Sequence, residues 1–175
     1  MMDTLATIPP MIIGGSIIST VSFILHTIGF STTYWYKIGD VVHMGLWKSC
    51  NTVQFKGVEV CNYFTDAPVR DAQLAAAGVL ESFALVAFVA ALVCAFLKMF
   101  ILKEQGILFV VIGLLNFIAG GLALIGTIVF ATISYSGFTF DSSKFHYSFG
   151  LCIVGGIGGF FSGIVFILAW RWVRN

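Results

Sequence analysis

Apolar residues gather in four long stretches of the chain, separated by polar connections. The stretches run approximately over residues 10–30, 74–97, 107–133 and 147–170. A helix needs about 20 predominantly apolar residues to cross the hydrocarbon core of a bilayer, and each stretch reaches that length. Because backbone polar groups in lipid must be bonded within the chain, we expect each stretch to be a transmembrane helix. The pattern predicts an all-α membrane protein in which residues 1–175 form a single four-span domain.

The connections between the stretches indicate how the helices are arranged. A first loop covers about residues 31–73 and a second loop about residues 134–146. The turn at about residues 98–105 is so short that spans two and three should lie antiparallel and side by side. Short connections of this kind favour an up-down-up-down bundle.

The first loop contains four segments that are typical of β-strands. Thr33–Tyr36 and Asp40–Met44 are short, rich in aromatic or β-branched residues and separated by Gly39, whereas Val53–Phe55 and Val58–Val60 alternate apolar with polar residues. The last two flank Lys56-Gly57, and a period of two on both sides of such a turn is typical of a β-hairpin. We therefore predict a small antiparallel sheet over the bundle, to which Gly137–Phe140 of the second loop would add an edge strand.

The composition supports a membrane protein and excludes several functions. Of the 175 residues, 59% are apolar and 10% are charged, against roughly 45–50% and about 25% in soluble domains. No soluble catalytic domain fits outside the spans, the three histidines are scattered, and no catalytic or nucleotide-binding motif is found. The net charge of +1 gives no basis for nucleic-acid binding. We predict no enzymatic activity, no cofactor and no metal site.

Basic residues predict the orientation in the membrane. The turn between spans two and three contains Lys98 and Lys103 against Glu104, and the final segment contains Arg171 and Arg174 with no acidic residue. Basic and acidic residues balance in the two loops. The positive-inside rule therefore places both termini in the cytoplasm and both loops outside, as in a multi-pass plasma-membrane protein. No Lys or Arg precedes the first stretch, so we interpret it as a span and not as a signal peptide.

Cys50 and Cys61 lie eleven residues apart in the polar first loop. Such a pair predicts a disulfide on the extracytoplasmic face, where the environment is oxidising. The alternatives are two free thiols or a metal pair, for which His43 is the nearest further ligand. Cys94 and Cys152 fall inside spans two and four, where buried and inert thiols are usual.

The first loop also carries the pattern W-x9-G-L-W-x2-C-x10-C, which begins at Trp35 and includes Gly45, Leu46 and Trp47. This pattern resembles the signature of the claudin superfamily of four-span membrane proteins. That group includes claudins, peripheral myelin and epithelial membrane proteins, and gamma-type subunits of channels and receptors. The resemblance implies a left-handed four-helix bundle with a small extracellular antiparallel β-sheet, and spans three and four look most like the myelin and epithelial branch. It also implies that Trp35, Leu46 and Trp47 pack where the sheet meets the helices. For Gly45 we expect a backbone shape that a Cβ atom would obstruct.

Two ionisable side chains lie within spans, where such groups are rare and indicate function by default. Glu81 is about seven residues into span two, and His26 lies at a comparable depth in span one. Three interpretations remain open: a glutamate that is protonated or reaches the interface, a Glu81–His26 pair, and contact with a partner or an ion. Asn116 in span three is expected to bond to a neighbouring helix.

Gly155, Gly159 and Gly163 recur every four residues in span four and therefore share one helical face. Small residues in that arrangement allow helix backbones to approach closely. The face serves either packing within the bundle or docking of another membrane protein or a second copy.

These features together predict a protein that acts through contacts with other membrane proteins in the lipid bilayer. Our first interpretation is a role in cell adhesion, cell junctions or membrane organisation. The alternative is an auxiliary subunit that binds an ion channel or receptor laterally and modulates its gating or trafficking.

Three departures from classical claudins argue against a paracellular pore or barrier. Only eleven residues separate Trp35 from Trp47, and the charges of Lys37 and Asp40 between them cancel. The sequence also ends at Asn175, without the hydrophobic terminal residue that binds a PDZ domain.

Overall fold

A computed structural model of the chain describes residues 10–53, 58–64, 72–102, 104–135, 138–139 and 141–174. Most of these residues belong to four helices: α1 Pro10–Ser31, α2 Ala72–Phe100, α3 Ile107–Ala131 and α4 Tyr147–Arg174. Each helix is long and apolar enough to cross a membrane, which confirms the four predicted spans. Helices α2 and α4 extend beyond the apolar stretches, to Phe100 and Arg174.

On helix α2, small residues face the interior of the bundle and most large apolar residues face outward, although Phe88 is fully buried. On α2, Ala77, Ala84 and Ala91 are fully buried, whereas Phe83 and Val86 are exposed. Lipid tails are as apolar as leucine, so burying a large apolar side chain between membrane helices gives little advantage over leaving it in lipid. Small residues instead let the backbones approach closely, and the bundle is held by that packing.

The four helices do not share equal interfaces. Helix α4 packs extensively against both α1 and α3, and α2 packs extensively against α3. The interface between α1 and α2 is much smaller. The bundle therefore has one weakly packed seam, which lies between its first two helices.

Part of the first loop forms a four-stranded antiparallel sheet in the order β1-β2-β3-β4. The strands are β1 Tyr36–Ile38, β2 Val42–Met44, β3 Lys48–Val53 and β4 Val58–Tyr63. This confirms the predicted sheet, although β3 begins at Lys48, ahead of the predicted segment, and Trp35 precedes β1. Gly39 between β1 and β2 has a φ of 58°, a backbone conformation that glycine adopts without steric cost. The predicted hairpin turn at Lys56-Gly57 lies outside the described residues.

The described residues of the second loop add no strand to this sheet, and the predicted edge strand at Gly137–Phe140 is wrong in its pairing. Strand β6, Phe138–Thr139, pairs with β5, Ser134–Tyr135, in a separate two-stranded sheet. Gly137 and Phe140 lie outside the described residues. The second loop instead meets the first sheet through a backbone bridge between Tyr36 and Phe145. A short 3-10 helix, Ser142–Lys144, lies just before that bridge.

Candidate functional site

The two tryptophans of the motif attach the sheet to the end of α1. The indole Nε1–H of Trp35 donates to the backbone oxygen of Gly29 over 2.7 Å, and that of Trp47 donates to the oxygen of Phe30 over 3.1 Å. The last four carbonyls of a helix have no partner within the helix. Gly29 and Phe30 belong to that final turn, so the indoles supply hydrogen bonds that the helix itself cannot make.

Aromatic packing extends this attachment to α3 and α4. Trp35 is fully buried, with its ring 4.8 Å from the Phe130 ring of α3 and 5.8 Å from the Phe149 ring of α4, between centroids. Leu46 is also fully buried in the same apolar cluster. One tryptophan therefore contacts three helices at the place where they meet the sheet.

Gly45 lies where the chain passes very close to the residues after α1. A Cβ atom on Gly45 would lie 2.8 Å from both the backbone oxygen of Thr32 and the Cα of Thr33. Because both atoms belong to the backbone, they cannot move away as the end of a side chain could. Any larger residue at this position would force the sheet away from the bundle.

A disulfide joins Cys50 of β3 to Cys61 of β4, as predicted, and the two residues face each other in the strand register. The predicted alternatives, free thiols or a metal pair with His43, do not apply to a disulfide-bonded pair. His43 instead lies beside Glu59, with its Nε2 atom 2.8 Å from a carboxylate oxygen. The disulfide joins the neighbouring strands β3 and β4, whereas the His43–Glu59 contact reaches from β2 across β3 to β4. Both contacts restrain the sheet.

Lys37 of β1 and Asp40 in the turn after it form an ion pair with no net charge. The Lys37 ammonium donates to a carboxylate oxygen of Asp40 over 2.8 Å. This hydrogen bond, with the opposite charges, lowers the pKa of the Asp40 carboxyl and raises the pKa of Lys37. The pair gives this turn no net charge with which to favour one kind of ion.

Glu81 and His26 are both completely buried, with 0% of either residue exposed. A carboxylate oxygen of Glu81 lies 3.5 Å from Nδ1 of His26. The other ring nitrogen of His26, Nε2, lies 3.2 Å from the backbone oxygen of Glu81. Gly126 of α3 leaves room for the carboxylate, because a Cβ atom there would lie 2.7 Å from Oε1 of Glu81. Neither carboxylate oxygen has a hydrogen-bond partner among the described residues.

Asn116 connects α3 to α1 in the middle of the bundle. The Ser19 hydroxyl donates to Oδ1 of Asn116 over 2.8 Å, and the Asn116 amide donates to the backbone oxygen of Ile112 over 3.0 Å. Both side chains are buried. Hydrogen bonds of this kind between membrane helices contribute about 0.6–2 kcal/mol.

The three glycines of α4 face the inside of the bundle. A Cβ atom on Gly155 would meet the backbone of α1 at 3.0 Å, and one on Gly159 or Gly163 would meet the backbone of α3 at 3.1 or 3.0 Å. Of the two interpretations of this face, the positions correspond to packing within the bundle. The glycines do not form a small-residue surface directed at lipid.

Strand β4 is the most exposed element of the sheet. It lies at the sheet edge, and all six of its residues are exposed. They include the apolar side chains of Val58 and Val60 and the ring of Tyr63, which is 54% exposed. The strand therefore offers apolar side chains and, among the described residues, a backbone edge that pairs with no further strand, on a sheet that the disulfide holds in shape.

The fold brings together residues that the sequence left apart. Cys152 of α4 lies beside His26 and Glu81, although the sequence indicated only an inert thiol. The contact between His43 and Glu59 was also missed, but the disulfide register could have indicated it. His43 pairs with Cys50 and Cys50 with Cys61, and Glu59 shares a strand face with Cys61 because side chains alternate along a strand.

A family model agrees with this architecture over nearly the whole chain. The model of the PMP-22/EMP/MP20/Claudin family matches residues 10–170, which takes in all four helices and the sheet. No curated protein matches the chain significantly.

Proposed function

Because the chain belongs to the PMP-22/EMP/MP20/Claudin family, we propose that it is a non-enzymatic plasma-membrane protein acting through protein–protein contacts in cell adhesion, cell junctions or membrane organisation. Its sheet faces the outside of the cell and both termini face the cytoplasm. The disulfide supports this orientation, because such bonds persist in oxidising compartments. Arg171 and Arg174 near the end of α4, opposite the sheet, agree with it under the positive-inside rule.

The observation that carries the proposal is the contrast between the sheet and the bundle. The sheet has an exposed apolar edge in β4 and is fixed to the helices by two indole hydrogen bonds. The small-residue face of α4, the surface that the sequence offered for a lateral partner, is used inside the bundle. The contrast favours a contact made by the sheet over the alternative, an auxiliary subunit docked along α4.

Adhesion is tested by mixing two differently labelled populations of suspension cells that express the chain and counting mixed aggregates. We expect aggregation above empty-vector cells, and a loss of aggregation when β4 carries Val58→Glu and Val60→Glu. Ile38→Glu is the matched control, because Ile38 is equally exposed on β1, at the other edge of the sheet. The control should aggregate like the unchanged protein.

A second measurement separates adhesion from the auxiliary role. The chain is purified in mild detergent from native membranes, and the proteins that accompany it are identified by mass spectrometry. A channel or receptor subunit at a constant ratio to the chain, together with no aggregation of expressing cells, would overturn the proposal. Recovery of the chain alone or with junction proteins would support it.

A further inference from the structure

Three side chains that commonly bind metals meet inside the bundle. His26 comes from α1, Glu81 from α2 and Cys152 from α4. One donor atom of each lies within 4.8 Å of the other two, and all three residues are completely buried. His26 is five residues before the end of α1 and Cys152 five residues after the start of α4, which places both about 8 Å from the sheet end of the bundle.

The hydrogen bond made by His26 fixes which ring nitrogen carries its proton. Nε2 lies 3.2 Å from the backbone oxygen of Glu81, and a carbonyl oxygen can only accept a hydrogen bond. Nε2 is therefore the donor, and in a neutral imidazole Nδ1 has a free lone pair. That lone pair faces the Glu81 carboxylate, which also carries lone pairs, at 3.5 Å.

Two groups of lone pairs in a buried site require something positive between them. A hydrogen bond between nitrogen and oxygen usually spans 2.7–3.2 Å, and Nδ1 of His26 has no hydrogen-bond partner among the described residues. Two ligands about 2.0–2.1 Å from a tetrahedral zinc ion lie about 3.3–3.4 Å apart. The separation of 3.5 Å is closer to this ligand-to-ligand distance than to a hydrogen bond.

We propose that His26, Glu81 and Cys152 form an intramembrane binding site for a divalent transition-metal ion of the zinc type. A sulfur, an imidazole nitrogen and a carboxylate oxygen form a ligand set that suits Zn²⁺, and three protein ligands leave one tetrahedral position for another donor. The scattered histidines of the sequence indicated no metal site, but two of the three proposed ligands, Glu81 and Cys152, are not histidines.

The charges of the site balance, which matters in a low-dielectric interior. Cys152 would bind as a thiolate and release its proton, and Glu81 would bind as a carboxylate. Together the two negative charges neutralise one divalent cation, so that the bundle buries no net charge. The bond from Nε2 of His26 to a backbone carbonyl is the arrangement that orients metal-bound histidines in proteins generally.

The ion would join helices across the weakly packed seam. His26 and Glu81 lie on α1 and α2, whose interface is smaller than the α1–α4, α3–α4 and α2–α3 interfaces. Cys152 adds α4, and Gly126 of α3 borders the carboxylate. The metal would therefore contribute stability where packing contributes least.

Cobalt is a suitable probe because Co²⁺ occupies zinc sites and absorbs light characteristically when a thiolate binds it. The full chain, purified in detergent and stripped with a chelator, is titrated with Co²⁺ and then with Zn²⁺. We expect one equivalent of Co²⁺ to give a thiolate-to-cobalt absorption band, which Zn²⁺ then abolishes by displacement. Cys152→Ser should remove the band, and Glu81→Gln should weaken Co²⁺ binding by more than about 100-fold, the upper end of losses for outer-shell changes.

Two variants serve as matched controls. Cys94→Ser removes the other free thiol and His146→Gln removes an exposed histidine, and both should bind Co²⁺ like the unchanged chain. Thermal unfolding of each variant establishes that it is folded. The proposal would be overturned if the unchanged chain gave no absorption band, or if the band survived Cys152→Ser. In the first case, a proton shared between Glu81 and His26 would explain their contact.

Discussion

At the scale of single residues, the tryptophan motif works as a pair of helix caps supplied by the loop that follows α1, one from just after the helix and one from farther along the chain. Helix ends are usually capped by residues within a few positions of the end. Here Trp35 lies six residues after Gly29, and Trp47 lies seventeen residues after Phe30. Both side chains bring apolar surface as well as a donor, so each one caps the helix and fills the junction.

Trp35→Phe should therefore destabilise the protein by more than the small loss of side-chain volume alone would cause. The variant keeps an aromatic ring but loses the donor to Gly29, and only a 3.4 Å contact from the Thr32 hydroxyl to that oxygen would remain. We expect a loss of about 1–3 kcal/mol in the free energy of unfolding, measured by denaturation in detergent. Trp172→Phe is the control, since Trp172 is 78% exposed. Equal stability of the two variants would contradict the capping role.

Gly45→Ala should be strongly destabilising for a change of one methyl group. The added atom would lie 2.8 Å from two backbone atoms of the Thr32–Thr33 segment, and such overpacking costs about 1–3 kcal/mol or more. Gly14→Ala in α1 is the matched control, because nothing lies within 4 Å of its added atom. That control should be neutral or stabilising by up to about 1 kcal/mol. The comparison is made by thermal unfolding, and a Gly45 variant as stable as the Gly14 variant would refute it.

At this scale the sequence predicted the disulfide but missed the buried three-residue cluster. Compartment and spacing were enough for Cys50 and Cys61. The position of Cys152 beside Glu81 depends on how far α4 is rotated and shifted relative to α2. Periodicity shows which residues share a face of one helix, but it contains no information on the relative height of two helices.

At the scale of elements, glycines set the distance between α3 and α4. A Cβ atom on Gly120 would lie 2.5 Å from the backbone oxygen of Gly156, and one on Gly163 would lie 3.0 Å from that of Gly113. Contact between backbones on this scale is typical of membrane helices that pack through small residues.

Neighbouring glycines of α3 provide a sharp test of this interface. Gly120→Ala must push α3 away from α4 and should lower the free energy of unfolding by about 1–3 kcal/mol. Gly121→Ala should have little effect, because its added atom meets only the end of the Phe160 ring, at 3.9 Å. Unfolding of both variants is followed by circular dichroism in detergent. Because both changes affect helix propensity equally, a similar loss in both would show that packing is not the cause.

Removal of the disulfide should affect the sheet and leave the bundle folded. Model estimates give about 2–4 kcal/mol for a bond of this kind, and the Cys50–Cys61 bond closes only the β3–β4 hairpin. We expect Cys50→Ala with Cys61→Ala to speed hydrogen exchange in β3 and β4, while exchange in α3 stays slow. Loss of protection in α3 would show that bundle and sheet fold as one cooperative unit.

The boundaries of the helices and strands show which sequence patterns predict secondary structure in this protein. The four helices lie within a few residues of the predicted apolar stretches, because a helix that crosses lipid needs a long apolar run. The β5–β6 pairing could not be predicted, since two-residue strands carry almost no periodicity. The predicted segment Val53–Phe55 shares only Val53 with β3, because the first residues of β3, Lys48 and Ser49, are both polar and do not alternate.

At the scale of the whole molecule, the proposed orientation can be tested with the cysteines themselves. Intact cells are treated with a reductant and then a maleimide, neither of which crosses membranes. We expect labelling of the unchanged chain and none of a Cys50→Ser, Cys61→Ser variant, which retains Cys94 and Cys152 as an internal background. Labelling only after the cells are permeabilised would place the sheet in the cytoplasm and contradict the orientation.

The two indole bonds also decide where a mechanical load would travel. A force applied to the sheet acts on four hydrogen-bonded strands. Because the disulfide also joins β3 to β4 covalently, these strands resist separation. The load then passes to the helices through the hydrogen bonds at Gly29 and Phe30 and through the packing of Trp35 against Phe130 and Phe149. These non-covalent contacts are weaker than the apolar interactions that hold a helix in lipid. Under tension they would therefore separate before any helix moved, while the connecting chain keeps the sheet attached, and they would re-form when the force ends.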